Sequence, residues 1–230
     1  MRASRVLLSV TVIAAPLLVV TPATAAPPEI PADCAVPPDI DLSEYNVIIG
    51  TNRSEVIQGT SGPDAICARL GDDVIHAGSG NDLILGDTST FFGNVGAAGG
   101  HDVIDAGSGD DEVLSGPGND RVSGGSGNDF LALAVGNDVG SGGSGDDAIQ
   151  GGFGRDEIDA GSGNDFVAGG FDADVLLGGS GSDFLAGELA PDSPPPPPGV
   201  QVPGPARDVC QGGSGTDTGV DCDVRTSVEA

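Results

Sequence analysis

GGFGRDEIDAGSGNDFVA, residues Gly151–Ala168, is two nine-residue units end to end, and GGSGNDFLA (Gly124–Ala132) is a third in the same phase. Ten such units run without a gap from Ala97 to Ala186. Position six is Asp in all ten (Asp102, Asp111, Asp120, Asp129, Asp138, Asp147, Asp156, Asp165, Asp174 and Asp183), and position eight is Ile, Val or Leu in nine. Four looser units precede the block between Gly50 and Leu85, with Glu55, Asp64, Asp73 and Asp82 at position six. A last unit, GGSGTDTGV, starts at Gly212 and carries Asp217 there. Over the fifteen units position six is always acidic, while position four is Gly and position eight is apolar in thirteen each. With 40 Gly and 17 Pro in 230 residues, an aperiodic chain would read as disordered. Three positions held in phase across two interruptions mark an ordered repeat instead.

Six residues of turn-forming type followed by three of strand type predict a turn and a very short strand. Gly at positions two and four permits positive φ, and the Asn or Asp at position five in eight units is the next best residue for it. Alternation along the strand points position eight to one side and positions seven and nine to the other. One unit cannot bury a lone Ile or Val, but stacked coils can. Two units per coil build two short-stranded parallel sheets about 10 Å apart, closed over the position-eight side chains. The expected fold is therefore all-β, a right-handed parallel β-roll of stacked nonapeptides. Its weakest coil should be Leu133–Ser141, where Gly140 replaces the core residue.

Stacking also sets every second position-six Asp above another, at about the 4.8 Å strand spacing. Each such pair repels by about 1 kcal/mol at a dielectric of 80 and by about 3.5 at 20. Summed along the stack, that rivals the ~5–15 kcal/mol stability of a whole domain. A hard cation between the carboxylates reverses the sign, and calcium accepts six to eight oxygens in flexible geometry. Its binding free energy then becomes folding free energy, so the chain is expected to fold on binding it.

These units resemble the RTX family, the calcium-binding parallel β-roll built from G-G-x-G-x-D-x-U-x. The resemblance implies that Asp64, Asp73, Asp82, the ten aspartates Asp102 to Asp183 and, at the end, Asp217 hold several Ca²⁺ ions together with turn carbonyls. Asp172, where the motif has Gly, should strain its turn. Many members are toxins, proteases or lipases exported without an N-terminal signal, and this chain departs on both counts. It has a leader-like N-terminus and lacks HExxH and the GxSxG elbow, and its two histidines, His76 and His101, read as surface residues. The reading is a non-enzymatic, secreted calcium-binding protein with a structural role, extracellular or at the cell surface. The alternative is an accessory or folding module for a separate extracellular enzyme, toxin or adhesin.

Residues 1–25 read as a signal peptide: Arg2 and Arg5, an apolar stretch Val6–Val20, and Ala23-Thr24-Ala25 at the cleavage site. Pro16 and the short length argue against a spanning helix, so no membrane insertion is expected after cleavage. Residues 26–49 are a Pro-rich N-terminal segment, 50–220 the roll with insertions at 86–96 and 187–211, and 221–230 a tail. The net charge of −27 excludes nucleic acid as a partner. Four cysteines in an exported chain favour disulfides. Three connectivities are possible. Cys210 and Cys222 flank the last unit, which favours their pairing and leaves Cys34 with Cys67. On one sheet, position seven carries Phe130, Phe166 and Phe184, a face for self-association or a protein partner unless the 187–211 insertion or the N-terminal segment covers it.

Overall fold

The computed structural model describes residues 34, 36, 40–87, 99–188, 208–220, 222 and 224–226. The leader and half of the Pro-rich segment lie outside the described residues. Nine strands form one parallel sheet in the order β1 (Asn46–Ile49), β3 (Asp64–Cys67), β5 (Leu83–Leu85), β7 (Glu112–Leu114), β9 (Phe130–Val135), β11 (Ala148–Phe153), β13 (Phe166–Phe171), β15 (Phe184–Glu188) and β17 (Thr218–Val220). The other sheet runs β2 (Val56–Gln58), β4 (Val74–Ser79), β6 (Val103–Ser108), β8 (Arg121–Ser126), β10 (Val139–Ser144), β12 (Glu157–Ser162), β14 (Val175–Ser180), β16 (Val209–Gln211) and β18 (Val224–Thr226). Consecutive strands alternate between the sheets, and partners such as Ile149 and Val167 are two units apart. This is the parallel β-roll the period requires. The only helix among the described residues is a single 3₁₀ turn, Leu42–Glu44, and no helix there is long and apolar enough to cross a membrane.

The core is one file of position-eight side chains between the sheets, from Ile57 and Ile66 through Ile104, Leu131 and Ile158 to Leu185 and Cys210. Position one adds to it where it carries an apolar side chain, as at Ala68, Ala77, Ala106 and Ala160. Many strands are longer than three residues, because positions two and three stay paired with the neighbouring coil. In β10 and β12 the pairing runs Ser141 with Asp159 and resumes at Gly143 with Gly161, so position one is skipped. Position two there has φ near +115° (Gly143), and the turn proper begins at position four with Gly145 at +125°. Asp172 does take the left-handed conformation at position four, with φ +77°.

Three local expectations are corrected. The Asn and Asp residues of position five do not adopt positive φ; their side-chain oxygens accept the position-five amide of the next coil. Thus Asn128 accepts from Asp146 N at 2.8 Å and Asp146 from Asn164 N at 2.7 Å. His101 belongs to this ladder, its Nδ1 accepting from Asn119 N at 2.8 Å. Second, the coil at Gly140 is not hollow. Leu133, at position one of the same unit, is fully buried, and a Cβ on Gly140 would lie 3.0 Å from its Cδ1. The missing core side chain is supplied from the other inward position.

The third correction concerns the insertions, which fall inside units rather than between them. Asp73 N reaches Asp102 Oδ1 across 29 residues where complete coils span 18, so eleven residues are added. Gly86 and Asp87 fill positions one and two of that unit, and Gly99, Gly100, His101 and Asp102 continue it as positions three to six, because β5 pairs with β7 and Gly86 N bonds the next Leu114 carbonyl. At the second insertion Asp174 N reaches Asp208 Oδ1 across 34 residues. Gly187 and Glu188 begin a unit whose positions six to nine are Asp208–Gln211, a sixteenth unit that simple counting misses.

The ends are stapled. Cys34 pairs with Cys67, and with Leu85 they form a small cluster on the outer side of the first strands, backed by Val36, Ile49 and Leu114. Cys210 pairs with Cys222 beside the last core layer. The sheets also reach beyond the counted repeat: β1 precedes Gly50, and β18 falls in the C-terminal tail.

Candidate metal centre

The carboxylates of position six form two columns, one on each edge of the roll. One runs Asp73, Asp102, Asp120, Asp138, Asp156, Asp174, Asp208, and the other Asp64, Asp82, Asp111, Asp129, Asp147, Asp165, Asp183, Asp217. All are at most 2% exposed, despite their charge. The chain turns sharply at position four, which points the position-six side chain back into the roll. Its Oδ1 accepts the position-six amide of the preceding coil, as from Asp111 N to Asp129 (2.9 Å) and Asp129 N to Asp147 (2.9 Å). Asn46 heads the second column, its amide donating to Asp64 Oδ1 at 2.6 Å, so a neutral side chain ends the charged stack.

The second oxygen, Oδ2, is buried without a hydrogen-bond partner from Asp73 to Asp183 and again in Asp217. Only Asp64 differs, its Oδ2 accepting from Thr60 N at 2.6 Å. Buried polar atoms in folded proteins are nearly always satisfied, so a repeated orphan oxygen points to a missing ligand. Where position one is Gly86, Gly124, Gly142, Gly151, Gly169 or Gly178, Oδ2 lies against it and near the position-one carbonyl of the next coil. A Cβ on Gly142 would stand 2.4 Å from Asp147 Oδ2 and 2.6 Å from the Ala160 carbonyl oxygen; at Gly151 the corresponding atoms, Asp156 Oδ2 and Gly169 O, are both at 2.4 Å. Carboxylate and carbonyl oxygens therefore converge on the same small region, turn after turn.

Burial shifts these acids. Desolvation, opposed by the amide bond and reinforced by nearby like charges, pushes Asp82 and Asp147 up to about 6. It pushes Asp111 and Asp156 up to about 7, and Asp102, Asp138 and Asp174 up to about 8. Asp120, Asp129, Asp165 and Asp183 move the same way for the same leading cause. An empty column near neutral pH must take up protons or carry buried charge, and a cation removes the choice. No three His, Cys, Asp or Glu side chains gather into a metal cage among the described residues. Any ion here is held by few carboxylates and several carbonyl oxygens, a donor set that suits a hard ion with flexible coordination such as calcium.

Five stretches (residues 49–84, 97–131, 134–167, 151–185 and 159–192) match the model of the RTX calcium-binding nonapeptide repeat, together more than half of the chain. The chain belongs to this family. No curated protein matches it. Two acidic residues were missed by counting: Asp208, hidden because the preceding insertion shifts the phase, and Asp87, which no repeat rule predicts. The local signal for Asp208 is Asp-Val-Cys-Gln, an acidic residue two places before a core side chain.

The phenylalanines stand in register on the first sheet, Phe130 beside Ala148 and Phe166 beside Phe184. The Phe166 and Phe184 rings stack at 5.3 Å between centroids, with Phe166 half exposed. His76 and Asp105 meet at 3.6 Å on the opposite outer face, both exposed.

Proposed function

We propose that this RTX roll is a secreted, non-enzymatic protein that folds when calcium fills its two carboxylate columns. The position-six aspartates Asp64, Asp73, Asp82, Asp102, Asp111, Asp120, Asp129, Asp138, Asp147, Asp156, Asp165, Asp174, Asp183 and Asp217, with Asp208 added, are the side-chain ligands in this reading. Position-one carbonyls supply the other oxygens. The observation that carries it is the row of buried, partnerless Oδ2 atoms facing those carbonyls. These residues would hold and desolvate the calcium, which would supply the positive charge that neutralises the columns. The cleavable leader and the two disulfides support export to an oxidising compartment, where free calcium is abundant enough for sites with Kd of about 10⁻⁴–10⁻³ M.

A second reading, an accessory module for a separate extracellular enzyme, toxin or adhesin, draws on the exposed Phe166–Phe184 stack, a surface for a partner or a second copy. Pull-down and sedimentation with and without calcium separate the two. Calcium-dependent capture of a distinct catalytic chain favours the module, and calcium-driven folding of a lone chain favours the structural reading. Circular dichroism in calcium and in chelator tests the folding claim itself. A β-rich spectrum unchanged by chelation contradicts it.

A further inference from the structure

The two interrupted units share a feature found in no complete one: an acidic residue at position two, where the insertion departs. These are Asp87 and Glu188; every other position two is Gly, Ala, Thr or Arg. Position two of complete units takes positive φ at Gly107, Gly125 and Gly143, and even at Ala134 (+73°), whereas Asp87 does not. Thr51 and Thr60 at position two share that backbone and are exposed, whereas the Asp87 side chain is 4% exposed. Its Oδ2 accepts from Gly100 N at 2.9 Å and lies 2.4 Å from where a Cβ on Gly99 would stand. Its Oδ1 is buried with no partner.

That orphan oxygen lies in the turn that also holds Asp102, and Asp120 follows one coil on in the same column. Both have Oδ2 buried and unpartnered too. Carbonyl oxygens flank the group: a Cβ on Gly86 would meet Ser115 O at 2.4 Å and Asp102 Oδ2 at 2.7 Å, and one on Gly99 would meet Pro117 O at 1.6 Å. Among the described residues every other turn offers the column one buried carboxylate; here the turn offers two. The affinity of oxygen-only calcium sites rises with the number of charged ligands and with rigidity.

The geometry points to Asp87 as a non-repeat ligand whose carboxylate, with that of Asp102 and the turn carbonyls, makes this turn the tightest calcium site of the roll, filled first and fixing both ends of the first insertion to the sheet edge. Coils on either side then nucleate from a preformed ion site. This rests on the calcium reading above.

The test is isothermal calcium titration of the full, disulfide-bonded chain as wild type, Asp87→Asn, Asp87→Gly and Asp159→Asn. Asp159 is an exposed position-nine residue, so its variant loses the same formal charge away from the columns. Wild type and Asp159→Asn should show a first binding phase that Asp87→Asn and Asp87→Gly lose or weaken by roughly tenfold, with later phases unchanged. Asp87→Gly restores the ordinary position-two residue and decides the matter if Asp87→Asn does not fold in saturating calcium. Either Asp87 variant titrating like wild type overturns the assignment. A wild type that binds no calcium would instead sink the function on which it rests.

Discussion

A position-six aspartate does two opposed things with its two oxygens. Oδ1 closes a hydrogen bond to the next coil, and Oδ2 stays buried and unmatched. Replacing Asp147 by Asn keeps an acceptor for Asp129 N while removing the charge, so the effect on stability should change sign with the ion. In chelator the variant should be the more stable, having lost a buried unpaired charge; in saturating calcium it should melt below wild type by several degrees. Thermal melts in calcium, and residual far-UV ellipticity in chelator at about pH 6, check this, and a change of the same sign in both would contradict it. Leu133 offers a second test. It fills the place left by Gly140, so Leu133→Ala should cost about 2–5 kcal/mol in calcium, as a core cavity does. Adding Gly140→Ile, which restores the usual core residue, should recover most of that loss in a double-mutant cycle followed by denaturant unfolding. Additive losses would show that the two positions do not share one cavity.

At the scale of strands and turns, much was legible and the failures have common causes. The period places position eight in the core and position six on the edge, and both followed from spacing because stacking repeats whatever one unit does. The six-residue strands were not legible, since Gly-Gly-Ser reads as turn in isolation. Parallel neighbours one coil away supply hydrogen bonds that keep those residues paired, and no local sequence records that. The insertions misled for a similar reason. Counting finds where the phase resumes but cannot tell at which position of the unit the chain departed, so Gly86, Asp87, Gly187 and Glu188 were read as loop. Asp208 was lost with them. The terminal staple carries its own prediction: Cys210 occupies a core position, so reducing or removing the Cys210–Cys222 bond should cost about 2–4 kcal/mol. Hydrogen exchange should rise first in β16 and β17, and uniform exchange across the roll would contradict a local clamp.

For the whole molecule, pH and calcium act on the same columns. In the unfolded chain these carboxyls titrate near 3.8, and in the ion-free roll several titrate at about 6 to 8. A raised folded pKa means stabilisation that is complete below the unfolded value and disappears as pH climbs through the folded one. The ion-free roll should therefore hold residual structure near pH 4 and lose it by about pH 8. Calcium should show the opposite trend, binding tightly at pH 8 and being displaced by protons in acid. Far-UV circular dichroism in chelator across that range checks the first trend. In the proposed reading, a net charge of −27 over a thin core makes proton and metal interchangeable supports of one fold. The most direct test of that account is a calcium titration of the chelated chain near pH 8, followed together by circular dichroism and small-angle scattering. It should convert an expanded, β-poor chain into a compact, elongated β-rich rod. The same compact rod before any calcium is added would contradict it.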